Sequence, residues 1–92
     1  MSQAPFPHDH DLSRLATLAH AKCQRKQWKR DWQHGGVYLH LEVSEFIESL
    51  RGKSGNPVDE AADVLFVLLS VCKANDVSLV DVEERLRTLV NS

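Results

Sequence analysis

A chain of 92 residues makes one small domain that buries a modest share of its own surface, so association between copies is the cheapest way to cover more. Its net charge of -2, with 26% charged residues, lacks the basic excess of a nucleic-acid-polymer binder and calls for no anionic membrane. Cys23 and Cys72 form no CxxC pair and read as free thiols of a reducing cytoplasm, while the longest apolar stretch, 61–74, is too short to span a bilayer and is broken by Asp63 and Lys73.

Residues 1–8, with Pro5 and Pro7 opposing regular structure and no basic region leading into an apolar run, read as a flexible lead-in without a secretory signal. A single helical domain is expected over 9–92. Its first helix starts near Asp9 or Asp11, where Leu12, Leu15, Ala16, Leu18 and Ala19 recur with helical spacing. The face then turns basic through Lys22, Arg25, Lys26, Lys29 and Arg30, with Trp28 and Trp32 interleaved, and Gly35-Gly36 breaks the pattern. A second helix is predicted over 37–50, its stripe made of Leu39, Val43, Phe46, Ile47 and Leu50; Arg51-Gly52-Lys53-Ser54-Gly55 ends it, with Gly available for a left-handed cap.

Asn56-Pro57 is a start signal for a third helix, with Asn as N-cap and Pro at the first helical position. With Val58, Ala61, Ala62, Val64 to Leu69, Val71 and Cys72, that helix is apolar almost all round. It needs cover on every side, which implies a subunit interface. Asn75-Asp76 closes it. Ser78 and Asp81 open a fourth helix whose buried face is Leu79, Val82, Leu86, Leu89 and Val90. No strand-like alternation is present. The expected fold is an all-α bundle of about four helices, assembled as a dimer or tetramer.

Two acid pairs flank the link between the second and third helices. Glu42 and Glu45 are three residues apart, as are Glu60 and Asp63, and residues three apart share a helix face. A short link makes the helices antiparallel neighbours, so four carboxylates can converge. Apolar neighbours (Leu41, Val43, Phe46, Ala62, Val64) set these acids at the border of a packed face, where repulsion and lost solvation raise their energy. A hard divalent cation relieves both, and carboxylate oxygens suit Mg²⁺ or Mn²⁺. A di-iron carboxylate site would need Glu-x-x-His, which neither pair contains. Taken singly, an acid pair of this spacing is an ordinary solvated face, and Glu60 is also a first-turn acid favoured by the helix dipole.

Leu41-Glu42-Val43-Ser44-Glu45, then Glu60-Ala61-Ala62-Asp63 and the apolar run 64–69, resembles the MazG-like all-α nucleotide pyrophosphohydrolase superfamily over most of the chain. Arg30-Asp31-Trp32 is similar to the dCTP-pyrophosphatase branch, which also tolerates a non-acid where Leu41 stands. The resemblance implies Mg²⁺-dependent hydrolysis of a (deoxy)nucleoside triphosphate to the monophosphate and pyrophosphate, in nucleotide-pool house-cleaning. It also implies assembly as a homo-oligomer, with no nucleic-acid polymer or membrane as partner. Two departures bear on this. Many relatives carry an acid at the Leu41 position, and the basic, aromatic C-terminal tail of several relatives has no counterpart before Ser92.

On that basis Glu42, Glu45, Glu60 and Asp63 would hold the metal on the phosphates, with Glu45 orienting or deprotonating the attacking water. Lys53 is a candidate for the triphosphate tail, or a solvated loop lysine. Trp32 either stacks on the base or packs the first helix on the second. Tyr38, one turn before Glu42, either faces the pocket or packs. Trp28 is expected in the core, most of the basic run on a wet helix face, and His8, His10, His20, His34 and His40 without a role. Asn75 is expected to cap the third helix. A helical module that senses nucleotide without turnover, or one that only oligomerises, is the alternative.

Overall fold

The computed structural model describes residues 11–92, which form four helices, α1 (Asp11–Lys26), α2 (Trp32–Leu50), α3 (Pro57–Ala74) and α4 (Leu79–Asn91). The architecture is the all-α bundle expected, with no strand among the described residues. The lead-in at 1–8 and His8-Asp9-His10 lie outside the described residues. None of the described helices is long and apolar enough to cross a membrane.

Local chemistry sets the helix starts. Asn56 Oδ1 accepts from the N–H groups of Val58 at 2.9 Å and Asp59 at 3.2 Å, and Pro57 follows as the first helical residue. Ser78 Oγ accepts from Asp81 N at 3.2 Å. Each cap satisfies amide groups that the helix leaves open, a contribution of about 1 kcal/mol.

Three helices end alike. Gln27 N bonds to Gln24 O and Trp28 N to Cys23 O, Gly52 N to Ser49 O and Lys53 N to Glu48 O, Asp76 N to Lys73 O and Val77 N to Cys72 O. In each, one residue takes a left-handed conformation: Gln27 at φ 60°, Gly52 at φ 73° and Asp76 at φ 60°. Glycine marks only the second of these in the sequence.

One expected boundary is corrected. Gly35-Gly36 does not precede α2 but lies inside it, because α2 starts at Trp32 behind an Asp31 N-cap that accepts from His34 N. Gly35 is buried where α2 crosses α3. A Cβ there would collide with Val71 Cγ2 and come within 3.2 Å of the Arg30 carbonyl. Close helix packing, not chain reversal, is what this glycine serves.

α3 lies at the centre, with α2 on one flank and α1 on the other, and α4 packs mainly on α1. The core is Ala16, Leu69 and Leu79, with Leu12 and Cys72 against it. Two neighbours thus account for much of the apolar surface of α3, yet Val58, Leu65 and Leu68 stay exposed. On α2, Val43, Ile47 and Leu50 of the expected stripe are exposed, and Leu39 and Phe46 are half-buried.

Gly35 and Gly36 therefore have opposite requirements. Gly35→Ala should lower the free energy of unfolding by about 1–3 kcal/mol through overpacking. Gly36→Ala meets nothing within 4 Å and should raise it by about 1 kcal/mol. Urea denaturation followed by circular dichroism measures both.

Candidate functional site

The packing of α2 on α3 brings acids from both helices together. One carboxylate oxygen from each of Glu42, Glu60 and Asp63 lies within 4.8 Å of the others. Glu42 and Glu60 are half-buried and Asp63 is exposed. Glu42 Oε1 and Glu60 Oε1 are buried without a hydrogen-bond partner. Such oxygens are expensive in a folded protein unless something positive meets them.

Electrostatics record the crowding. Burial, then the hydrogen bond and charge of Glu45, then the charges of Asp63 and Glu60, push Glu42 from 4.5 up to about 7. Burial, then Glu45, Asp63 and Asp59, raise Glu60 as well. Glu45 stands next to the cluster rather than in it, and its carboxyl is among the causes that raise Glu42. The donor set is all hard oxygen, and two donors lack any other partner. This fits a divalent cation of the Mg²⁺ or Mn²⁺ kind.

A cavity of about 650 Å³ opens beside the acids. Glu42 and Asp63 line it together with Lys22, Trp28, Arg30, Tyr38, Ala62, Phe66 and Val67. Its volume is that of a small-molecule site. Trp28 and Phe66 meet edge to face, with ring centroids 6.5 Å apart and planes at 85°. Lys22 Nζ lies 5.7 Å from the Phe66 centroid. The Arg30 guanidinium lies 5.8 Å from the Trp28 ring and 5.1 Å from that of Tyr38.

The other residues singled out from the sequence fall in different places. Tyr38 lines the cavity. Trp32 does not; it is 72% exposed on the first turn of α2. Lys53 is exposed in the α2–α3 loop, away from the cavity wall. His34 Nδ1 contacts Asp31 Oδ1 at 2.8 Å at the helix start. Asn75 closes α3 as expected, and its amide also donates to Arg30 O at 2.9 Å and Val71 O at 2.7 Å.

Two expectations are corrected. Trp28 is not core: it is 44% exposed and walls the cavity. Arg30 is not on a wet helix face: it is buried, with Nε donating to Ser70 Oγ. Both follow from the end of α1 at Lys26, since the left-handed turn at Gln27 takes 28–31 off the helix and across α3. A signal for Arg30 was present in Ser70, the lone polar side chain of the apolar run 64–72. A hydroxyl buried there needs a partner.

Comparison with known proteins adds a family. A family model described as phosphoribosyl-ATP pyrophosphohydrolase matches residues 15–88. The chain is 44% identical over 46 residues to a protein of Jannaschia sp. (strain CCS1) named phosphoribosyl-ATP pyrophosphatase. That match takes in 50% of this chain and 45% of the relative, so the chain spans about half the relative's length. No solved structure matches.

The raised Glu42 carboxyl sets a pH dependence. Between 4.5 and about 7 the folded protein holds a proton that the unfolded chain has released, so stability falls as pH rises through that window and levels off above it. Divalent cations compete with that proton and should stabilise most above pH 7. Thermal unfolding in EDTA and in Mn²⁺, across about pH 5 to 8, should show a midpoint that falls with pH in EDTA and recovers in Mn²⁺. Glu42→Gln should flatten the EDTA profile and shrink the Mn²⁺ response.

Proposed function

Because the chain belongs to the phosphoribosyl-ATP pyrophosphohydrolase family, within the MazG-like all-α superfamily, we propose that it hydrolyses a phosphoribosylated ATP to the corresponding monophosphate and pyrophosphate. The observation that carries this reading is the meeting of Glu42, Glu60 and Asp63, with two buried oxygens unpartnered, at the wall of a nucleotide-sized cavity. The family favours an adenine nucleotide over the general (d)NTP pool as substrate.

Glu42, Glu60 and Asp63 would hold a divalent cation, Mg²⁺ in the first instance, which when bound neutralises phosphate charge. Glu45 stands outside that oxygen cluster, beside Glu42. This suits a group that orients water and takes its proton, since a carboxylate spent on a metal is a poorer base. The water oxygen bonds to the α-phosphorus, and the α–β bridging bond breaks to release pyrophosphate. Trp28 and Phe66 form an aromatic wall for the base, and Tyr38 a third ring beside them. Trp32 and Lys53 would reach substrate only from outside this wall.

Exposed Leu41, Ile47 and Leu50 on α2 and Leu65 and Leu68 on α3 support assembly into a dimer or larger homo-oligomer. Light scattering after size exclusion should give at least twice the chain mass of 10.4 kDa.

A pyrophosphate-release assay with phosphoribosyl-ATP, ATP and dCTP in Mg²⁺ tests the activity. Phosphoribosyl-ATP should be turned over best, and EDTA should abolish turnover. Asp63→Asn should lower kcat/KM by about a hundredfold or more, the scale of one lost preorganised electrostatic contact, with helix content unchanged. Nucleotide binding without turnover of any of the three would instead favour a sensing module.

A further inference from the structure

Arg30 belongs to none of the acid motifs, yet it is the most tightly held cation at the cavity. Its residue is 8% exposed. Nε donates to Ser70 Oγ at 3.0 Å, and Nη1 donates to the Lys29 carbonyl at 3.2 Å. Ser70 is itself fully buried and is fixed in turn, its hydroxyl donating to Val67 O at 2.9 Å. The Arg30 backbone is pinned from the other side by the Asn75 amide, which grips Arg30 O and Val71 O together. The Trp28 and Tyr38 rings flank the guanidinium.

All these partners are neutral. Arg30 forms no ion pair among the described residues. A guanidinium carries five N–H donors, and the bonds above use two. The charge is therefore withdrawn from water, held rigid and left without an anion, while donors remain beside the cavity. Structural arginines at this depth ordinarily meet a carboxylate. Two are close at hand on the same wall, Glu42 and Asp63, but they turn to Glu60 instead. The cavity so holds two separate halves, carboxylate oxygens of which two have no hydrogen-bond partner and a guanidinium with no ion pair among the described residues. Lys22 is the contrasting case: exposed, on a flexible stem and over Phe66, it is a mobile charge.

We infer that Arg30 is a fixed phosphate-binding group, receiving a nucleotide phosphate oxygen, with Ser70 as the positioning residue that aims its guanidinium. This rests on the reading of the cavity as a nucleotide pyrophosphohydrolase site. A metal–polyphosphate complements both halves at once, which neither a bare metal nor a neutral ligand does. A planar guanidinium with donors to spare suits phosphate oxygens. Phosphate placement then depends on a buried hydroxyl of α3, one turn beyond the cavity wall.

The test uses adenosine 5′-(α,β-methylene)triphosphate, which resists cleavage at the α–β position, titrated by calorimetry in Mn²⁺, with Mn²⁺ alone as a separate titration. Arg30→Met should weaken the nucleotide analogue about tenfold or more and leave Mn²⁺ affinity within about twofold. Arg30→Lys keeps the charge but loses the fork and should fall between; it replaces Arg30→Met if that variant does not fold. Ser70→Ala should weaken the analogue about threefold to tenfold in the wild-type background and have no further effect beside Arg30→Met or Arg30→Lys, whereas a purely structural serine would act equally in both. In the turnover assay Ser70→Ala should raise KM more than it lowers kcat. Analogue affinity unchanged in the Arg30 variants, or Mn²⁺ affinity falling in step with it, overturns the inference even if the wild type hydrolyses phosphoribosyl-ATP. Tight, Arg30-dependent analogue binding with no turnover would overturn the enzymatic reading and leave this one standing.

Discussion

The structure turns on like charges forced together. Glu42 comes from α2, and Glu60 and Asp63 from α3; no flexible segment holds them in place. In water these groups would separate. Here the helix packing overrides them, and the cost appears as a Glu42 carboxyl that keeps its proton to about pH 7 and as two oxygens without a partner. Apolar contact between α2 and α3 supplies the opposing free energy, and Gly35 allows the close crossing by leaving room for Val71.

Against this negative centre the link between α1 and α2 sets a positive one. A left-handed residue at Gln27 ends α1, and the chain then crosses α3, where Ser70 takes the Arg30 guanidinium and Asn75 takes its carbonyl. Trp28 follows the same path and meets Phe66 edge to face. One short segment thus delivers both an aromatic wall and a rigid cation to the acids. The two polar side chains that receive it, Ser70 and Asn75, sit on the helix that also carries Glu60 and Asp63 or at its end. α3 is therefore the common frame for both charges.

The apolar surface left over has a consistent location. Leu41, Ile47, Leu50, Leu65 and Leu68 are exposed on the two helices that bear the acids. A chain this small buries too little of itself to cover them. Covering that surface with another copy would also stiffen the α2–α3 pair, whose spacing holds the carboxylates together.

Much of this was legible in the sequence, for reasons that are local. Asn56-Pro57 and Ser78 open helices through hydrogen bonds to amides two or three residues away, so a short window contains the whole interaction. The spacing of Glu42 with Glu45, and of Glu60 with Asp63, puts each pair on one helix face without reference to any tertiary contact. The start of α2 lies ahead of Gly35-Gly36 because glycine is an ambiguous mark: in Gly35 it signals a helix crossing that only the partner, Val71, reveals. The end of α3 is marked by Asn75-Asp76, whereas α1 ends with Gln27 in the left-handed position, where composition gives little warning. Trp28 and Arg30 were hidden for the same reason, since extending α1 by its period assigns them to the wrong side.

The chain alone thus determined four helices, the Asn56 and Ser78 caps and the acid pairs, because these depend on neighbours within a turn. Which acids meet, and which stands beside them, was decided only by the crossing of α2 and α3. The same holds for Arg30: its partners Ser70 and Asn75 are 40 and 45 residues away, and no local pattern encodes a contact of that separation. Charge placement in this protein is a property of packed helices, whose geometry is set by the apolar contacts between them.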